Sequence, residues 1–171
     1  MRSPLIGLVA YLALLAPSAA AEAASAELKN AEGRTVGTIS LSEAASGGVL
    51  VKASLEGVAP GAHAFHIHET GKCEGDFKSA GGHFNPTGDE HGVLAEGGAH
   101  AGDMPNLHVP DSGRLSVEYF VRDVTLEPDA KGSLFDDDGS AFVIHEGTDD
   151  YASQPAGDAG ARIACGVVTK S

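Results

Sequence analysis

The chain places six of its eight histidines, together with one aspartate, where metal chemistry would want them: His66, His68, His83, His91, His100, His145 and Asp103. Imidazole is the commonest protein metal ligand, and a carboxylate oxygen is acceptable to zinc. Two four-coordinate ions need eight donor atoms, and seven side chains are on offer. Either one imidazole bridges both ions through its two ring nitrogens, or one ion keeps an open position. Both arrangements point to metal chemistry rather than a purely structural clip.

The seven divide by local pattern. His66 and His68 flank Ile67 in a run that reads as a β-strand, so both imidazoles leave from one face while Phe65 and Ile67 turn to the core. His145 follows Ile144 on another such run. Three imidazoles from two strands suit copper, which favours nitrogen donors in tetragonal geometry. His83, His91, His100 and Asp103 follow one another at intervals of eight, nine and three residues in a glycine-rich stretch. Four nitrogen and oxygen ligands with no open position describe a structural zinc site. Such a site would order the loop, because ligand-binding energy becomes folding energy. If His83 used both ring nitrogens, it would supply the eighth donor and hold the two ions side by side. Of the other histidines, His63 reads as a buried or half-buried hydrogen-bonding residue and His108 as an exposed loop residue.

Strands must position these groups, since two-residue alternation dominates the chain. Val49, Val51, Ala53 and Leu55 interleave with Leu50, Lys52, Ser54 and Glu56; Leu115, Val117 and Tyr119 alternate with Ser116, Glu118 and Phe120. Phe142 and Ile144 alternate with Val143 and His145. Turn residues bound the runs at Glu32-Gly33, Ser46-Gly47-Gly48, Ala59-Pro60-Gly61, Asp111-Ser112-Gly113 and Asp138-Gly139. About seven or eight strands at such spacing predict an antiparallel sandwich or barrel. Two irregular segments interrupt the rhythm, Glu69 to Pro110 and Thr148 to Ala161. Long loops of this kind carry function in compact domains, and the first holds four of the ligand candidates.

Composition bounds the rest. Arg2, the apolar run from Leu5 to Ala16 and the small residues Ala19-Ala20-Ala21 read as a signal peptide over 1–21, too short to span a bilayer. The expected mature domain is 22–171. The formal charge of −13 becomes one unit more negative on loss of Arg2, which argues against nucleic-acid and anionic-membrane partners. The two cysteines, Cys73 and Cys165, read as a disulfide in an exported protein; neither has a C-x-x-C partner that would suggest thiolate ligation.

The strings His66-Ile67-His68-Glu69, Gly81-Gly82-His83-Phe84-Asn85-Pro86, His100-Ala101-Gly102-Asp103, Val143-Ile144-His145-Glu146 and Gly160-Ala161-Arg162-Ile163-Ala164-Cys165-Gly166-Val167 together resemble the copper/zinc superoxide dismutases. The resemblance runs over essentially the whole mature chain. It implies an eight-stranded antiparallel Greek-key β-barrel with two long functional loops, and superoxide as substrate, dismuted to dioxygen and hydrogen peroxide. By the same resemblance copper is held by His66, His68, His83 and His145, and zinc by His83, His91, His100 and Asp103, with His83 the bridging imidazolate and a proton source. Arg162 corresponds to the arginine beside copper that guides the anion. Asp149 corresponds to the carboxylate joining His66 to His91. Cys73 and Cys165 correspond to the intrasubunit disulfide. Lys78 is weighed evenly between steering the anion and being a solvated charge.

Tyr151, Gln154, Pro155, Lys78 and the stretch from Asp103 to Asn106 look more like the bacterial exported branch, which implies a periplasmic location with no membrane partner after cleavage. A homodimer stays open, because the branches do not share one interface. The rival reading is a non-catalytic copper/zinc-binding protein on the same fold. A zinc hydrolase is disfavoured, for the chain lacks H-E-x-x-H and an evident nucleophile arrangement.

Overall fold

The computed structural model describes residues 23–171; the expected signal segment, 1–21, lies outside them. Ten strands follow in chain order: β1 (Ala24–Asn30), β2 (Thr35–Glu43), β3 (Val49–Glu56), β4 (Gly61–His63), β5 (Phe65–His68), β6 (Leu107–Val109), β7 (Arg114–Val121), β8 (Ala141–His145), β9 (Arg162–Val167) and β10 (Thr169–Lys170). Among the described residues there is no α-helix, only a 3₁₀ turn at Lys78–Ala80.

Alternation decides which face each strand buries. On β3, Val49, Val51, Ala53 and Leu55 are buried while Lys52, Ser54 and Glu56 are exposed. Register carries the pattern sideways: Val51 stands between Leu41 of β2 and Tyr119 of β7. The glycine turns close the hairpins, with Gly33 N–H donating to the Asn30 carbonyl at 2.9 Å and Gly47 N–H to Ala44 at 2.8 Å.

The main sheet holds eight strands, in the order β5-β8-β9-β1-β2-β3-β7 with β10 beside β1. All its pairings are antiparallel. β4 pairs with β6. Because β4 runs into β5 and β6 leads to β7, that pairing draws the two ends of the sheet together and curls it round the core. Across this seam the rings of Phe65 and Tyr119 lie 6.3 Å apart. Leu28, Ile39, Leu41, Ile67, Leu107, Phe142 and Ile144 fill the interior and are fully buried. Each contributes about 1.5–3 kcal/mol relative to exposure.

Two details differ from the sequence reading. Leu107–Val109, expected inside an irregular segment, is a strand; His108 is exposed on it rather than in a loop. Three residues are too short for alternation to be legible there. β8, which alternation suggested would bury one face, has all five residues buried. Phe142 and Ile144 face the main core, whereas Ala141 and Val143 join Phe77, Ala80 and Cys165 in a second cluster. The segment after β5 folds over that side and removes it from solvent. The Cys73–Cys165 disulfide, with Cα atoms 5.7 Å apart, ties that segment to β9.

Candidate metal centre

His66 and His68 leave β5 on the face away from the main core, yet neither exposes any surface, because the segment beyond β5 returns across them. Backbone pairing holds the return: Ile67 N–H donates to the Gly102 carbonyl at 2.9 Å, and Phe84 N–H donates to the Ile67 carbonyl at 2.8 Å. A Cβ on Gly102 would overlap the Ile67 carbonyl, so glycine is required for this approach. The pairing sets Asp103 opposite His66 and His83 opposite His68. His145 ends β8, where the register with β9 shifts between Ile144 and His145.

Two donor groups result. The ligand atoms of His66, His68, His83 and His145 lie within 4.8 Å of one another, as do those of His83, His91, His100 and Asp103. His83 belongs to both. All seven residues singled out in the sequence are therefore brought together.

The donor atoms fit resident ions. His66 Nδ1, His68 Nε2, His83 Nε2, His100 Nδ1 and His145 Nε2 are buried without any hydrogen-bond partner. Buried polar atoms are rarely left so, and here five ring nitrogens share the condition. The opposite nitrogens explain the orientation. His66 Nε2 donates to Asp149 Oδ2 at 2.8 Å, His68 Nδ1 to the Gly81 carbonyl at 3.1 Å, and His145 Nδ1 to the Gly160 carbonyl at 3.4 Å. Each outer bond fixes the tautomer that leaves the inner lone pair free for a metal.

Electrostatics agree. Burial, then the neighbouring charge of His83, pulls the His68 pKa down to about 2. Burial above all lowers His145 to about 3 and His66 to about 4, the latter against the opposing hydrogen bond to Asp149. Burial opposes ionisation of Asp103, but hydrogen bonds from His83 and the Gly92 N–H, with the charges of His83 and His91, hold its carboxyl well below the usual range. His83 Nδ1 and His91 Nδ1 stand 2.8 and 3.0 Å from that carboxylate.

A pH dependence follows. An unfolded chain protonates His66, His68 and His145 near pH 6.5, while the fold keeps them neutral, so the unfolded state binds more protons below that pH. The depressed carboxyls act in the same direction at lower pH. Metal-free protein is therefore expected to lose stability steadily as pH falls from 6.5 towards 4, by about 3 kcal/mol for a group displaced as far as His66. Melting curves at pH 7, 5.5 and 4 check this, and a flat melting temperature would contradict it.

Asp149 couples the two groups: buried itself, it accepts from His91 Nε2 at 3.0 Å as well as from His66. Burial works against its charge, but the hydrogen bonds from His66, the Tyr151 N–H and His91 lower its pKa. Gly157 packs directly on this bridge at a φ of 66°. A Cβ there would overlap Asp149 Oδ1 and stand 2.7 Å from His91 Nε2. Gly157→Ala is thus expected to displace the carboxylate and weaken metal retention by roughly 10–100-fold, the cost of losing an outer partner. Titration of the metal-free variant against a competing chelator reads it; wild-type affinity would mean that the bridge moves aside freely.

Arg162 opens β9. Its Nη1 donates to the Phe77 carbonyl at 2.7 Å and its Nη2 to the Gly81 carbonyl at 2.6 Å. Gly81 thus receives both Arg162 and His68, which locates the guanidinium beside the first donor group. Its positive charge also disfavours protonation of His68 and His145. Lys78 is 81 % exposed and lies 2.6 Å from Asp76. That pairing offsets its charge and favours the solvated reading.

His63 is buried, with its Nδ1 2.9 Å from the His145 carbonyl and its Nε2 2.9 Å from Ala59. Its burial is legible in the sequence, but its grip on His145 is not. Nor does the sequence single out for this role Asn106, whose side-chain amide is bonded to both backbone groups of Asp149. No spacing signal exists for such pairs, which are 82 and 43 residues apart.

The comparisons with known proteins converge on one family. Residues 35–168 match the copper/zinc superoxide dismutase family. Superoxide dismutase [Cu-Zn] 2 of Aquifex aeolicus is 53 % identical over 147 residues, covering 85 % of each chain. Superoxide dismutase [Cu-Zn] 1 of the same organism is 52 % identical over 145 residues, covering 84 % of this chain and 85 % of the other. The crystal structure of a SOD-like protein from Bacillus subtilis superposes with a TM-score of 0.81 at 43 % identity, covering 84 % of this chain and 96 % of that one. With two adjoining groups of buried, inward-facing donors and a match through both long loops, this chain belongs to the copper/zinc superoxide dismutase family.

Proposed function

We propose that this chain dismutes superoxide with copper held by His66, His68, His83 and His145 and zinc held by His83, His91, His100 and Asp103. The observation that carries the assignment is the set of unpartnered ring nitrogens: four of the five, His66 Nδ1, His68 Nε2, His83 Nε2 and His145 Nε2, belong to the first group. An all-nitrogen set suits copper, and a set with one carboxylate and no open position suits zinc.

When bound, copper supplies a one-electron couple, so that one superoxide is oxidised to dioxygen and a second, taking two protons, is reduced to hydrogen peroxide. The protein's own residues do the rest. Arg162, fixed by two carbonyls, offers the anion a positive charge in a chain whose formal charge is −13. Local attraction of this kind is needed because the whole molecule repels anions. His83, whose Nε2 is otherwise a donor of the first group, would take up a proton there when that ligation is released and pass it to the reduced substrate. Asp149 keeps His66 and His91 in the tautomers that present Nδ1 inward.

The proposal extends to export and location. Residues 1–21 act as a cleaved signal peptide and 22–171 form the mature periplasmic enzyme. The disulfide supports an oxidising compartment. A copper/zinc store without turnover is the rival, and Arg162 together with the full donor set speaks against it.

The test is superoxide dismutation by the purified mature protein, with copper and zinc measured on the same sample. Activity proportional to copper occupancy is expected. Full occupancy of both metals without turnover would make the protein a metal store and withdraw the roles of Arg162 and His83.

A further inference from the structure

The second irregular segment does more than carry Asp149. It lies against the chain around His91 through contacts that the dismutase reading does not use. His91 N–H donates to Gln154 Oε1 at 2.9 Å, and Gln154 Nε2 donates back to the His91 carbonyl at 2.9 Å. One side-chain amide therefore pairs with both backbone groups of one residue, as a neighbouring strand would. Leu94 N–H donates to the Tyr151 carbonyl at 3.0 Å. A Cβ on Gly92 would overlap that same carbonyl, so the two segments meet at a distance only glycine permits. At the inner end, the Tyr151 hydroxyl accepts from the Asn106 N–H at 2.9 Å and from Asn106 Nδ2 at 2.7 Å. Asn106 in turn holds the backbone of Asp149, its Nδ2 donating to the Asp149 carbonyl and its Oδ1 accepting the Asp149 N–H, each at 2.9 Å.

We propose that Gln154 and Tyr151 are positioning residues that strap the backbones of His91 and Asp149 together and so set how firmly zinc is retained. The proposal rests on the reading of His91 as a zinc ligand. The division of labour is specific. Besides a bond to Ala152 of its own loop, Gln154 grips His91, which belongs to the zinc group alone. Tyr151 acts through Asn106 on Asp149, which touches both His91 and His66 and so reaches both groups. Backbone registration matters because a ligand ring displaced by a fraction of an ångström loses its coordination geometry, while metal affinity depends on the partners that orient it.

The experiment uses the mature protein loaded with copper and zinc, with Gln154→Ala, Gln154→Glu and Tyr151→Phe beside it. Gln154→Glu is close to isosteric and keeps the acceptor for the His91 N–H, but replaces the donor to the His91 carbonyl with a second oxygen. It keeps the test decisive if the alanine variant folds poorly. Zinc release to EDTA is timed, and cobalt(II) placed in the zinc group reports the ligand field by its visible bands. Both Gln154 variants are expected to release zinc about tenfold faster with shifted cobalt bands, and to release copper at the wild-type rate. Tyr151→Phe is expected to hasten release of both metals. Wild-type zinc release and unshifted cobalt bands in the Gln154 variants would overturn the proposal, even if their melting temperatures fell. A His91→Ala control separates the two levels: zinc retained in that variant would show that the ligand reading, and not the strap, had failed.

Discussion

Changing His145 to alanine is expected to remove copper and reduce dismutation at least about a hundredfold while zinc and the fold remain. At the end of β8 the His145 ring is buried with its Nε2 unpartnered and its pKa pulled down to about 3. Such a nitrogen is a neutral donor at any physiological pH, and no other protein group uses it. Removing it takes one of four donors from the His66, His68, His83 and His145 group and none from the other. Losing a direct ligand exceeds the 10–100-fold cost of losing an outer partner. The backbone survives, because the His145 N–H donates to the Ala64 carbonyl at 2.9 Å and the His63 ring holds the His145 carbonyl, both independent of the side chain. Elemental analysis and superoxide consumption on one sample read the result. A copper-loaded, fully active variant would refute the assignment.

Opening the disulfide should have the largest effect on stability. Cys73 and Cys165 are 92 residues apart, and closing a loop of that length stabilises by about 4–5 kcal/mol in the chain-entropy model. For a domain of this size that corresponds to a fall in melting temperature on the order of 10 °C or more. A second consequence concerns the site. The bond joins β9, which begins with Arg162, to the segment supplying the Phe77 and Gly81 carbonyls that hold the guanidinium. Reduction is therefore expected to lower activity at constant copper content, because Arg162 loses its fixed position. Calorimetry of a Cys73→Ser, Cys165→Ser double variant, with activity normalised to copper, tests both effects. An unchanged melting temperature would mean that the cross-link constrains nothing the fold does not already constrain.

Both predictions concern residues whose types and spacing are legible along the chain. The two-residue period of Val49 to Glu56 announces β3 and its buried face, since side chains on a strand must alternate. The histidines announce themselves because imidazole in such numbers, at such spacing, has few other uses. Where the pattern is short or two-sided, legibility fails. β6 has three residues and no readable period, and β8 is buried on both faces because a loop covers what alternation alone would leave wet.

Residue types and spacing were enough to identify a two-metal donor set, a β-sheet architecture, a disulfide and a family. Their information is local, or lies in strings long enough to be unusual. Only the tertiary structure decided which nitrogen of each ring faces inward, how Arg162 is held, that Asp76 offsets Lys78, and that Asn106 and Gln154 grip the backbones of Asp149 and His91. Most of those outcomes depend on contacts between residues 43 to 85 positions apart, and nothing in either partner's neighbourhood along the chain encodes the other. They arise when the curled sheet brings its two long loops over one face and burial demands a partner for each polar group left there.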